Sequence, residues 1–186
     1  MIPSVEECLE FIKRYEMLPN IRAHSLMVER VAGLITQALR DNGLTLCSDK
    51  VAAGALLHDI GKTICLQSGG DHAALGKEIC LENQLNEIAD IVAEHVRLKD
   101  FDPEGPFQEK EIVYYADKRV NHDAVVGLAD RREYILERYG RNEEKIRTRI
   151  MANFALSEEV EKKIFAGLEF PPDDLACRID KTGPSL

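Results

Sequence analysis

Histidine and carboxylate side chains are the residues of this chain whose spacing could do chemistry. Of its five histidines, His24 falls in step with Met27, Val28, Val31 and Ile35, on an apolar stripe rather than a solvent face. His58 and Asp59 stand side by side in the segment GALLHDIGKT, residues 54–63, in phase with Val51, Ala52 and Ala55. His72 heads the stripe of Leu75, Gly76, Ile79 and Cys80, and His95 continues Ile88, Ile91 and Val92. Asp117 falls among Val113, Ala116 and Val120. His122 lies opposite that last stripe and is expected to face solvent without a role.

A buried ionised carboxylate costs several kcal/mol or more, of the order of tens in the idealised limit, unless something compensates it. Six such groups aimed at one small core are an expensive way to build stability. Four imidazoles and two carboxylates together are the donor set of a divalent transition metal such as iron, manganese or zinc. Cysteine offers no such pattern. The five cysteines are scattered, without a CxxC pair, and read as reduced core thiols.

Helices must position these residues. Ser4 and Glu7 form a capping box ahead of Val5, Cys8, Leu9 and Ile12. A long helix follows Pro19 and ends near Asn42–Gly43. Ser48 is expected to cap a helix running through His58–Asp59, which Gly61 stops. Asp71 is the candidate cap of the next helix, and another covers about 86–97. Residues 98–108, with Pro103, Gly105 and Pro106, read as a connector that could also cover the site. Further helices are expected over about 109–123, 127–139 and 143–167, with a break near Ser157 open. The tail from Phe170 either wraps over the body or frays. No segment alternates with a two-residue period, so the fold class is all-α: one helical bundle of about seven to nine helices over residues 1–186. Its ligand-bearing core spans about 20–125, followed by C-terminal helices and tail over about 126–186.

Acidic residues exceed basic ones by 33 to 24, a formal charge of −9, and no basic stripe interleaves with aromatics. Bulk nucleic acid is therefore not an expected partner, whereas a small anionic molecule is, because a metal or a few cations reverse the field locally. No run of eighteen apolar residues crosses a membrane, and the acidic start MIPSVEECLEFIKRYEM is unlike a secretory signal, so a cytoplasmic location is expected. A homodimer through an apolar face of the C-terminal helices is a further expectation.

His24, the doublet His58–Asp59 within HDIGK and Asp117 within YADKRV resemble the H…HD…D pattern of the HD-domain metal-dependent phosphohydrolases. The resemblance covers about residues 20–125. It implies an all-helical fold in which these four residues hold a divalent metal, and hydrolysis of phosphate esters, often of nucleotides. His72 and His95 match the additional histidines of binuclear members, similar to the HD-GYP phosphodiesterases and the HD-type hydrolases of diadenosine tetraphosphate, although no GYP motif is present. On this resemblance Asp59 bridges two metals, or a single metal leaves His72 and His95 as substrate or acid–base partners. One or two ions of Fe, Mn, Zn, Ni, Co or Mg per chain are implied. Asp59 and Lys62 are the candidate catalytic residues, Lys62 as a free cation for a phosphate oxygen. Arg22 and Arg119 are weaker candidates, and Lys118 is worse placed still. A non-catalytic nucleotide- or metal-binding sensor and a di-iron oxygenase of HD-like fold remain the alternative classes.

Overall fold

The structure, a computed structural model, describes residues 1–140 and 143–181. Helix α1 (Val5–Arg14) starts with the expected capping box: Ser4 Oγ accepts from the Glu7 amide at 3.2 Å, and Glu7 accepts from the Ser4 amide at 2.7 Å. Helix α2 (Pro19–Asp41) has Pro19 in its first turn, where a missing N–H costs nothing. Its buried stripe is Ile21, His24, Val28, Val31, Ile35 and Leu39; Met27, which the periodicity also places there, is half-buried.

Helix α3 (Ser48–Leu57) departs from expectation at both ends. Cys47, not Ser48, is the N-cap, and Ser48 Oγ is instead engaged by Arg40. The helix stops before the His–Asp doublet. Ile60 N–H reaches back to Leu57 O and Lys62 N–H to Asp59 O, so residues 58–61 form a tight turn, and α4 (Lys62–Ser68) begins where a simple stop was expected. Asp71 caps α5 (His72–Glu82) as expected, accepting from the amides of Ala73 and Ala74. Helix α6 (Asn86–Glu94) ends short of the expected residue 97, with His95 at its C-cap.

Helix α7 (Glu109–Lys118) is also shorter than expected. A hairpin replaces its last turn, pairing β1 (Val120–Asn121) with β2 (Ala124–Val125) across a turn in which His122 has φ 56°. Helix α8 (Leu128–Tyr139) and helix α9 (Glu144–Ala166) complete the body, α9 running unbroken through the buried Ser157. A 3₁₀ turn (Pro172–Asp174) and α10 (Leu175–Lys181) follow, with Leu175 and Ile179 buried. The tail therefore wraps onto the body as far as residue 181; residues 182–186 lie outside the described residues. The all-α expectation holds, with the hairpin as its one exception among the described residues.

Two apolar clusters carry the packing. One joins α2, α7, α9 and α10 around Ile35, Ile112, Tyr115 and Ile164. The other joins α1, α3, α5 and α6 around Leu56, Leu57, Cys80 and Ile88. The 58–61 turn stays in the second cluster through Ile60. No helix among the described residues is long and apolar enough to cross a membrane.

Candidate metal centre

The geometry begins at two helix ends. A helix leaves its last carbonyls without intrahelical donors. At the end of α3, His58 Nδ1 donates to Ala55 O at 2.7 Å; at the end of α6, His95 Nδ1 donates to Val92 O at 2.6 Å. His24, on α2, donates from Nδ1 to the His122 carbonyl at 2.9 Å. Each bond fixes the tautomer and leaves an Nε2 lone pair facing inward. His122 thus has a part that its phase did not disclose: its ring is on the solvent side, but its carbonyl orients His24.

Two carboxylates collect these nitrogens. Asp59 Oδ1 lies 3.3 Å from His72 Nε2 and 3.5 Å from His95 Nε2, while its Oδ2 lies 3.5 Å from His58 Nε2. Asp117 Oδ1 lies 2.9 Å from His24 Nε2 and 3.8 Å from His58 Nε2. Ligand atoms of His24, His58 and Asp59 fall within 4.8 Å of one another, and so do those of Asp59, His72 and His95. Asp59 belongs to both groups. All six sequence-identified residues are therefore brought together.

Burial makes this arrangement unstable without a cation. His58 Nε2 and Asp59 Oδ1 are buried with no hydrogen-bond partner, each a cost of about 1–3 kcal/mol. His72 Nε2 and His95 Nε2 approach to 3.2 Å, and the His95 lone pair points into that gap. Burial pushes His72 down to about 4, with the neighbouring His95 adding to the effect, so the ring is a neutral donor near pH 7. Burial lowers His95 as well. Burial would also lower His58, but Asp59 and then Asp117 outweigh it and raise the value. Asp59 and Asp117 are held well below the usual carboxylate range: burial opposes ionisation, but His58 beside Asp59 and Lys118 beside Asp117 overcome it. The lowered His72 and His95 rings, the ionised carboxylates and the orphaned inward atoms fit a divalent metal.

The cations differ from expectation. Lys62 is not free: its Nζ lies 2.7 Å from Asp59 Oδ2, at the mouth of the site. Lys118, which the sequence ranks lowest, is buried and bridges the two carboxylate neighbourhoods, with Nζ 2.6 Å from Asp117 Oδ2 and 2.8 Å from the His95 carbonyl. Arg119 is structural, holding Val126 O, Glu161 and Pro172 O. Arg22 is exposed and does not line the cleft, and neither do residues 98–108.

The centre forms the floor of a cleft of about 590 Å³. Its opposite wall comes from α8 and α9, with Tyr134, Arg138, Tyr139 and Arg149 among the lining residues. Sequence reasoning missed this wall. A trace of it exists in α8, where Arg131, Tyr134 and Arg138 recur at helical spacing.

A model of the HD domain family matches residues 21–132, which include all six clustered residues. The chain belongs to the HD-domain family. Membership places it in a superfamily of metal-dependent hydrolases and implies a divalent metal, for which His/Asp groups are present. This HD domain is 32% identical over 143 residues to a tRNA (cytidine(56)-2'-O)-methyltransferase of Picrophilus torridus, a match of 68% of this chain and 39% of that protein. It is 39% identical over 77 residues to ribonuclease Y of Fervidobacterium nodosum, covering 41% of this chain and 14% of the relative. Against ribonuclease Y of Mycoplasma mycoides it is 42% identical over 60 residues, 32% of this chain and 13% of that one. The chain thus spans well under half the length of these curated relatives. No solved structure matches it.

Proposed function

We propose that this HD domain is a metal-dependent phosphohydrolase that cleaves a phosphate ester or anhydride of a small molecule of the nucleotide type. The observation that supports this reading is Asp59, whose two buried oxygens face different histidine groups on the floor of a cation-lined cleft. His24, His58, Asp59 and Asp117 would hold one metal; Asp59, His72 and His95 would hold a second. Divalent metals there supply Lewis acidity, which makes water nucleophilic near neutral pH and polarises a phosphoryl oxygen.

In this reading the chain's own groups prepare the reaction. Carbonyl bonds to His24, His58 and His95 lock the rings, so no reorganisation accompanies catalysis. The water oxygen forms a bond to phosphorus as it gives up a proton, the ester or anhydride P–O bond breaks, and the leaving oxygen takes up that proton. Lys62 is the cation at the mouth of the site, 2.7 Å from Asp59 Oδ2. With Asp59 holding a metal, this ammonium would be placed for the phosphoryl oxygens, where negative charge develops. Two similar proteins bear names that refer to RNA, which is consistent with a nucleotide phosphate at this centre. The excess of 33 acidic over 24 basic residues and the size of the cleft favour a small molecule over a long polyanion.

The test is phosphate or nucleotide release from mononucleotides, cyclic nucleotides, dinucleoside polyphosphates and a generic phosphodiester. Mn(II), Fe(II), Mg(II), Co(II), Ni(II) or Zn(II) is added in turn. Turnover that disappears in Asp59→Ala is expected. Lys62→Ala should retain metal while losing about 10²–10³ in kcat. Silence across the panel from metal-loaded protein would overturn the hydrolase reading.

A further inference from the structure

The wall of the cleft that faces the candidate centre is built largely by residues beyond the family match, which ends at residue 132. On α8, Tyr134 is fixed in place. Its ring meets His122 edge-on at 5.4 Å, the Arg131 guanidinium lies 5.5 Å from the ring centre, and its hydroxyl accepts from Arg138 at 3.0 Å. Tyr139 is different. It is 54% exposed, and Arg138, 5.6 Å from its ring centre, is its cation neighbour. An exposed aromatic ring on the lip of a concave site is a platform for another flat ring.

The charges beside it point the same way. The two carboxylates that line the cleft, Asp59 and Asp117, are already bound to Lys62 and Lys118. Arg97, Arg138 and Arg149 line the same cleft and form no ion pair among the described residues. Arg131 lines the cleft too but is tied to Asn121; the other three guanidiniums, in one cleft of an acidic chain, are more than a single phosphate at the floor requires. Their planar, forked donors suit phosphate oxygens.

We infer that the cleft selects a nucleoside carrying at least two phosphates, with Tyr139 of α8 stacking on the base and Arg97, Arg138 and Arg149 holding the phosphates. This rests on the phosphohydrolase reading and adds to it the residues that choose the substrate. The candidate metal groups and Arg97 lie within the family-matched residues; Arg138, Tyr139 and Arg149 lie beyond them.

Calorimetric titration of the Mn(II)-loaded full chain tests it, with three probes: α,β-methylene-ADP, methylenediphosphonate and adenosine. The ADP analogue should bind at least tenfold more tightly than either fragment. Tyr139→Leu should abolish its advantage over methylenediphosphonate without changing the affinity for methylenediphosphonate itself. Arg138→Gln combined with Arg149→Gln should weaken both phosphorylated probes tenfold or more. All three positions are exposed, so the variants are expected to fold, and unchanged melting temperatures verify it. Equal affinity for the analogue and methylenediphosphonate, or an advantage that survives Tyr139→Leu, overturns the inference. So does a short single-stranded RNA that displaces the analogue at lower concentration. Base-dependent binding without any turnover would instead count against hydrolysis and leave the selecting wall standing.

Discussion

His58 and His95 each do two jobs with one ring. Nδ1 closes a helix end by donating to the carbonyl three residues back, and that bond turns Nε2 toward the centre. Helical phase made the inward direction of all six ligand candidates legible in the sequence, because a polar residue in register with Val and Ile must share their side of the helix. Phase says nothing of which nitrogen points where, nor of how far a flexible stem reaches. Lys118 shows the second point: its backbone register looked unfavourable, yet its four-carbon stem carries the ammonium to Asp117 and the His95 carbonyl. Lys118→Met should therefore destabilise the metal-free chain by about 3–5 kcal/mol, since Asp117 then keeps a buried charge without its cation. Urea denaturation of both proteins measures this, and a change below 1 kcal/mol would place Lys118 outside the centre's support.

At the scale of elements, the centre depends on a short turn where a longer helix was expected. Gly61 permits it. A Cβ there would stand 2.5 Å from the His72 carbonyl oxygen and 2.9 Å from the Gly76 amide nitrogen, so the start of α5 can approach the 58–61 turn only against a glycine. Sequence reading took Gly61 for a helix stop because the local pattern contains the glycine but not the distant helix that needs it. Gly61→Ala should displace α5 and with it His72, at a cost of about 1–3 kcal/mol. Metal titration of this variant is expected to keep the His24–His58–Asp117 group and weaken the His72–His95 group. Equal loss from both groups would contradict that assignment. The hairpin was illegible for a related reason. Val120 and Val125 continue an apolar pattern, and only the turn at His122 and Asp123 separates a strand pair from a last helical turn.

Across the whole molecule, two apolar clusters pack the segments that carry the six side chains, while α8 and α9 close over them. That closure joins segments with no shared periodicity, and so the cleft wall could not be read from phase. Burial of the rings governs acid stability. His72 is pushed from 6.5 down to about 4 in the folded chain, and His95 is also lowered. Below pH 6.5 the unfolded chain then binds protons that these folded rings refuse. Their contribution is complete above about pH 6.5 and is lost as pH falls toward 4. His58, raised, acts in the opposite direction. Asp59 and Asp117 add stability that is lost only below the ordinary carboxylate value of 3.8. The lowered His72 should therefore make the melting temperature of metal-free protein fall between pH 7 and pH 4.5. His72→Asn should flatten that fall; a flat profile in the unsubstituted chain would contradict the burial argument.

The proposed centre gathers His24, His58, Asp59, His72, His95 and Asp117 from five segments of the chain, with Asp59 serving both of its halves. Metal content per chain, measured by native mass spectrometry after Mn(II) loading and desalting, tests it most directly. Two ions per chain are expected in the unsubstituted protein, one when His72 and His95 are both replaced by alanine, and neither ion retained in Asp59→Ala. One ion that survives loss of Asp59, or none in the unsubstituted chain, would contradict it.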